Sequence, residues 1–393
     1  LNAQVVENLS ILFNAQSFGF GPTASIAWLT PHFMLHQFKE ISFAGSGFTL
    51  DLQRRLPYTK LHDLTNSTEE DIKTVIEKYD VIFTAMDIKC ATLALAQNKK
   101  VVFYDAVSWF WPHTDEWSSW EKIITHPNAL YLAQNFFGIS ESLSTYIESS
   151  NIKIVPPLIS KTSSLPKKRS EKLVFMNFGG LQNPLIDAEK LILYSKTLIT
   201  IVKKTLPERF ELKVAVSKLI ADAISMPEVS TYSPSEIMEM IASSSFVLCT
   251  PGLGNIYETA ATNTPVIFLP PTNETQGMQL ELLKDANMVD ADCDWGRFSE
   301  PLSYFKTPVK DLINGIAKKI SKLEDPTVTQ DLTTLMEENI KKMIQLESNS
   351  AKGLIEKFGT DGASAIVKHV QQWMMQNMQN LKSSSNGEGK ETL

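Results

Sequence analysis

Along most of the chain, short runs of apolar, β-branched and aromatic residues alternate with longer stretches of helical spacing. In the first half, Ser10–Phe13, Glu40–Ala44, Asp80–Ala85, Val101–Tyr104, Leu130–Ala133 and Ile152–Val155 predict strands, with helices over Ser67–Lys78, Cys90–Gln97 and Ser140–Glu148. These runs show no polar alternation, as expected of strands buried on both faces, so the pattern predicts βα units around a parallel sheet. The stretch 159–172 then reads ISKTSSLPKKRSEK, with almost nothing to bury, and 159–171 is the expected linker. The rhythm restarts with strand Lys172–Met176, helix Pro184–Lys204, strand Glu211–Val216, helix Pro234–Ala242, strand Phe246–Cys249, helix Asn255–Thr262, strand Pro265–Leu269 and helix Gln276–Asp285. Pro308–Gln379 reads as mostly helical and 382–393 as a disordered polar tail. The expectation is α/β: two Rossmann-like parallel-sheet domains, 1–158 and 172–362, facing a cleft and closed by C-terminal helices, the last at 363–381.

Composition adds exclusions. With 393 residues, 43% hydrophobic and 21% charged, the chain has the make-up of ordinary globular domains. A net charge of −7 gives no general electrostatic reason to bind nucleic acid or an anionic membrane. Cys90, Cys249 and Cys293 are too few and too scattered for a disulfide framework or a zinc site, which suits a reducing compartment. No apolar run approaches the ~20 residues of a bilayer span. The first basic residue is Lys39, so the charged start of a signal peptide is missing, and a cytoplasmic location is expected. The chain opens at Leu1 rather than Met, so Leu1–Asn8 can include trimmed or added sequence.

Ligands of open α/β sheets bind outside the carboxyl ends of the strands, so the loops after strands are where chemistry is expected. Four stand out. In the first, Gly19-Phe20-Gly21-Pro22, the glycines allow positive φ and Pro22 presets a helix start; the loop is either a tight turn or a ligand contact. In the second, Asp105 ends a strand and four of the seven tryptophans (Trp109, Trp111, Trp117, Trp120) follow within twelve residues. They either pack a core or wall a pocket for a flat ring, and Asp105, His113 and Asp115 are the proton acceptors nearby. The third, Asn177-Phe178-Gly179-Gly180, repeats the glycine pattern before Pro184. The fourth, Thr250-Pro251-Gly252-Leu253-Gly254-Asn255-Ile256-Tyr257-Glu258, is a glycine turn opening a helix, which offers backbone N–H groups to a phosphate. Glu258, one turn in, can accept from a ribose diol. Asn273, Glu274 and Gln276 stand at the next strand end, where a carboxamide can read sugar hydroxyls. Asp290-Ala291-Asp292 reads as a solvated loop rather than a metal site.

Gly252–Glu258 followed by Pro270 and Gln276 resembles the donor signature of GT-B glycosyltransferases, His-Gly-Gly-x-Gly-Thr-x-x-Glu with a Pro-rich strand end and an Asp-Gln. The resemblance implies that Thr250, Gly252, Leu253, Gly254 and Asn255, with Gly179 and Gly180, hold the donor diphosphate. It implies further that Glu258 holds the ribose and that Gln276, Asn273 or Glu274 holds the sugar. Acceptor and general base would come from the N-terminal domain, to which the last helix, with Ile366, Val370 and Trp373 in one stripe, would return. Thr250-Pro251 departs from His-Gly, and Thr275 stands where an acid is usual. Gly-Phe-Gly-Pro, Phe178–Leu181 and Thr250–Leu253 also look like the cytosylglucuronate synthases, which join glucuronate from its UDP ester to a pyrimidine.

The function expected is an inverting, metal-independent glycosyltransferase using a UDP-sugar as co-substrate, with no other cofactor, and a small acceptor. Asp105, His113 or Asp115 would be the base, and Gly19, Phe20, Gly21, Trp109 and Trp111 would touch the acceptor. The alternatives are a sugar-nucleotide 2-epimerase or hydrolase of the same fold, or a non-catalytic nucleotide-sugar-binding subunit.

Overall fold

The computed structural model describes residues 8–387 except 37, 148, 150, 160–168 and 182. They divide into two compact units. The first takes the described residues of Leu1–Ser17, Pro22–Leu158 and Asp361–Leu393, and the second those of Phe18–Gly21 and Ile159–Thr360.

In the first unit seven strands form one parallel sheet in the order β3-β2-β1-β4-β5-β6-β7. They are β1 Ser10–Ala15, β2 Glu40–Gly45, β3 Leu61–Asp63, β4 Val81–Ala85, β5 Lys100–Asp105, β6 Ala129–Gln134 and β7 Ile152–Val155. Every residue of β1, β4 and β6 is buried, which is why those runs carry no polar alternation. The helix Gly21–Met34 contributes Ile26, Leu29 and Phe33 to the core under this sheet.

The helix Gly362–Gly387 packs into the same core through Ile366, Val367, Val370, Trp373 and Met374, positions three to four apart on one face. Its start is pressed onto β7's exit: a Cβ at Gly362 would stand 2.3 Å from the Pro156 carbonyl oxygen, so only glycine fits. At the other end of the contact, the Lys100 ammonium lies 5.8 Å over the Trp373 ring and donates to Asn377 Oδ1 at 2.8 Å. The helix runs through Gly387, so the part of the expected disordered tail at 382–387 is corrected; 388–393 lies outside the described residues, as does most of the expected linker, 160–168.

The second unit repeats the plan with six parallel strands in the order β10-β9-β8-β11-β12-β13. These are β8 Leu173–Asn177, β9 Glu211–Ala215, β10 Val229–Ser230, β11 Phe246–Cys249, β12 Val266–Phe268 and β13 Ala291–Asp292. Chain order reverses between β8 and β11, the position where such sheets leave a crevice at their carboxyl end. The long helix after β8 begins at Ala188 rather than at Pro184, because residues 184–186 turn first and Asp187 takes the N-cap position. Asp290 and Asp292 are buried, which corrects the solvated-loop reading. Asp290 accepts from the Val266 and Ser350 N–H groups at 3.0 and 2.7 Å, and Asp292 pairs with Lys284 at 3.1 Å. Among the described residues no group of three or more His, Cys, Asp or Glu side chains is placed to hold a metal ion, and no helix is long and apolar enough to cross a membrane.

Because Trp373 is 4% exposed among apolar neighbours of the first sheet, Trp373→Ala is expected to cost about 3–5 kcal/mol in urea unfolding. A loss below about 1 kcal/mol would detach this helix from the core.

Candidate functional site

The two units present different chemistry at their strand ends. In the first, Asp105 does end β5, but its side chain does not emerge: it is completely buried. Oδ1 accepts the Val107 N–H at 2.8 Å; Oδ2 accepts the Trp111 and Trp120 indole N–H groups at 2.7 and 3.2 Å, the Ser108 hydroxyl at 3.2 Å and the Tyr131 hydroxyl. Burial pushes its carboxyl above the usual range and these donors pull it back. It is a hub that holds the tryptophan-rich segment onto β5 and β6, and the general-base reading is corrected on that ground.

Trp109 and Trp111 are buried with it, so they pack the core and do not wall a ring-binding pocket. His113 and Asp115 are exposed, His113 ending the short 3₁₀ turn Trp111–His113. Of the first loop, Gly19 has a positive φ of 62°, while Gly21 opens the helix Gly21–Met34 without one, so positive φ is not why Gly21 is there.

Sequence reading missed two carboxylates in this unit. Asp87 follows β4 and caps the helix Ile88–Ala96 by accepting the Cys90 N–H at 2.9 Å; Glu116 stands before the helix Trp117–Ile124. Partial desolvation raises both, and the Asp87 charge raises Glu116 further. Asp87 was legible only as an N-cap, and Glu116 only as one member of an Asp-Glu pair.

In the second unit the loops after β8 and β11 are bound together. Asn177 Oδ1 accepts the Gly179 N–H at 3.0 Å, and Asn177 Nδ2 donates to Asn255 Oδ1 at 2.8 Å. Asn255 Nδ2 in turn donates to the Thr250 carbonyl at 2.8 Å. Asn177, Asn255 and Thr250 are all buried. Gly179 and Gly180 have φ of 61° and 85°. A Cβ at Gly179 would stand 3.2 Å from Thr250 Oγ1, and one at Gly180 only 2.1 Å from the ring of Phe20, which belongs to this unit. The Asn255 side chain therefore serves the loops themselves, its carboxamide spent on Asn177 and Thr250.

This bridge holds the helix Leu253–Ala261 with its first turn open. Gly252 is the N-cap and has no side chain to cap with, and the Leu253, Gly254 and Asn255 N–H groups take no acceptor among the described residues. Neither Gly252 nor Gly254 has positive φ, and an added Cβ at either would meet nothing within 4 Å. The fold does not need glycine there; its smallness leaves the N–H groups approachable, at the positive end of the helix dipole.

One turn on, the Glu258 carboxylate has no hydrogen-bond partner among the described residues, and desolvation pushes it up to about 8. At the end of β12, Asn273 Oδ1 is committed to capping the helix Glu274–Asp285 through the Gln276 N–H at 2.9 Å. Gln276 Oε1 is likewise spent on the Thr272 N–H and hydroxyl at 2.8 and 3.0 Å. Glu274 remains: it is 4% exposed, its Oε2 has no partner, and burial pushes it up to about 7. Of the three sugar-end candidates it is the one with an unused acceptor.

No family model and no curated protein sequence matches the chain. Solved structures do match over nearly its full length. UGT73P12 of Glycyrrhiza uralensis, complexed with glycyrrhetinic acid 3-O-monoglucuronide, is 10% identical, with 97% of this chain and 99% of that one covered and a TM-score of 0.52. A Listeria monocytogenes protein assigned as a UDP-N-acetylglucosamine 2-epimerase is 13% identical, over 91% and 95%, with a TM-score of 0.51. UGT89C1 of Arabidopsis thaliana, complexed with UDP, is 12% identical, over 89% and 98%, with a TM-score of 0.50. With two Rossmann-like parallel-sheet units, the chain has the GT-B fold.

If Asp105 is a structural hub, Asp105→Asn must turn an N–H₂ group toward either the Val107 N–H or the indole and hydroxyl donors. The substitution is expected to cost at least about 2 kcal/mol in urea unfolding. Wild-type stability in that variant would contradict the assignment.

Proposed function

We propose that this protein is a glycosyltransferase that takes a UDP-sugar as donor and passes the sugar to a small acceptor. One observation carries the reading: the uncapped N–H groups of Leu253, Gly254 and Asn255, with the partnerless Glu258 carboxylate a turn further on. The N–H groups suit a diphosphate, Glu258 a ribose diol, and Glu274 a sugar hydroxyl. The acceptor nucleophile forms its bond to the anomeric carbon as the bond to the diphosphate oxygen breaks. The nucleoside diphosphate leaves with the electron pair, onto N–H groups already oriented to receive charge. The acceptor's proton goes to a general base. A pyrimidine acceptor with UDP-glucuronate, the finer reading, rests on loop resemblance alone, since Trp109 and Trp111 give it no pocket.

The likeness to the Listeria monocytogenes protein assigned as a UDP-N-acetylglucosamine 2-epimerase favours one second reading, epimerisation or hydrolysis of the nucleotide sugar, which requires acid and base groups at the sugar. Incubation with UDP-sugars separates the two. Transfer requires an added acceptor, whereas an epimer or free sugar formed without one would establish the second reading.

Glu258 supplies a pH test. Its carboxyl, near 8 when folded against the usual 4.5, holds a proton the unfolded chain releases. Its contribution to stability is full below about 4.5 and is lost as pH rises through about 8. Ribose hydroxyls donate to the ionised form, so UDP affinity should rise between pH 6 and 8.5 with proton release. In Glu258→Gln the rise should flatten and affinity at pH 8 should fall about tenfold or more. Calorimetry in buffers of different ionisation enthalpy measures both; unchanged affinity would remove Glu258 from the ribose.

A further inference from the structure

Ser217 follows β9 and occupies the N-cap position of the short helix Lys218–Ile224, with φ −65° and ψ 158°. Ser233 and Thr68, with similar backbone angles at their own helix starts, accept an N–H of the first turn. Ser217 does not. Its hydroxyl makes no capping bond, it is 6% exposed, and its Oγ is buried with no partner. A buried hydroxyl without a partner is costly and uncommon, so it calls for a use.

Strand register says where that hydroxyl lies relative to the open helix. Ala215 of β9 and Cys249 of β11 both pair with Asn177 of β8, one on each side. Ser217 is two residues past Ala215, and Thr250 one residue past Cys249. The two therefore leave the sheet on either side of β8, from strands about 10 Å apart at ~4.8 Å per strand. A ligand with its diphosphate on Leu253–Asn255 and its sugar toward Glu274, beyond β12, has its nucleoside left for the β8 and β9 side. There Gly179 bears no side chain, and the Phe20 ring lies against Gly180. Two of the five large apolar side chains exposed among the described residues are Leu185, in the turn after β8, and Leu219, in the first turn of the helix after β9.

We propose that the Ser217 hydroxyl is a further ligand contact, hydrogen-bonding the nucleoside end of the donor on the β9 side of the glycine turn; this rests on the nucleotide-sugar site proposed above. Ser217 then sets the fit of the nucleoside and leaves the diphosphate alone.

The test is calorimetric titration of the wild-type and Ser217→Ala chains with UDP and with inorganic pyrophosphate, alongside their thermal midpoints. Ser217→Ala should lose about five- to tenfold in UDP affinity and nothing in pyrophosphate affinity. Its midpoint should hold or rise, because the substitution removes a partnerless hydroxyl. Unchanged UDP affinity overturns the contact, as does an equal loss for UDP and pyrophosphate. A lowered midpoint with UDP affinity intact also overturns it, since that is how a helix cap behaves. If the wild-type chain takes up neither UDP nor pyrophosphate, the nucleotide-sugar reading itself falls, and Ser217 with it.

Discussion

A helix that offers its first N–H groups to a ligand has to be held by something other than its own cap, and in the second unit that constraint falls on the asparagine bridge. Gly252 cannot cap, so Asn255 reaches back to the Thr250 carbonyl and across to Asn177 on the neighbouring strand. Each bond is worth about 1 kcal/mol net, but the groups are buried, so losing one partner strands the others without water. The bridge joins the loops on either side of the point where strand order reverses. It also leaves the N–H groups of Leu253, Gly254 and Asn255 unspent. The same logic extends along the strand ends: Tyr194 and the Trp295 indole hold the Pro270 and Pro271 carbonyls at 2.5 and 2.8 Å, and Asn183 holds the Thr272 carbonyl at 3.3 Å. Internal polar groups fix the loops, and Glu258 and Glu274 are the carboxylates left over.

Asp105 shows the opposite use of a polar group at a strand end. Its position after an apolar run is visible in the sequence, but nothing in the spacing says that Trp111, Trp120 and Tyr131 all turn toward it. The direction of a side chain is a tertiary property, and here it converts an apparent base into the anchor of a tryptophan-rich segment. Asn273 and Gln276 illustrate the same limit, since both have the right chemistry for a sugar but spend their acceptors on turns and caps. The long strands and the glycine turn were legible because burial on both faces and helix initiation each leave a local pattern. The edge strands β3, β10 and β13, of two or three residues, are too short to leave one. Pro184 misled for a related reason: proline favours a helix start, but Asp187 is where the backbone first takes it up.

The central claim, that this open helix start receives the donor's diphosphate, is tested most directly by the backbone amide resonances of the protein titrated with UDP. The largest shifts and the strongest new protection from exchange are expected on Leu253, Gly254 and Asn255, with smaller changes at Gly179. Saturable UDP binding that leaves those three amides unmoved would contradict it.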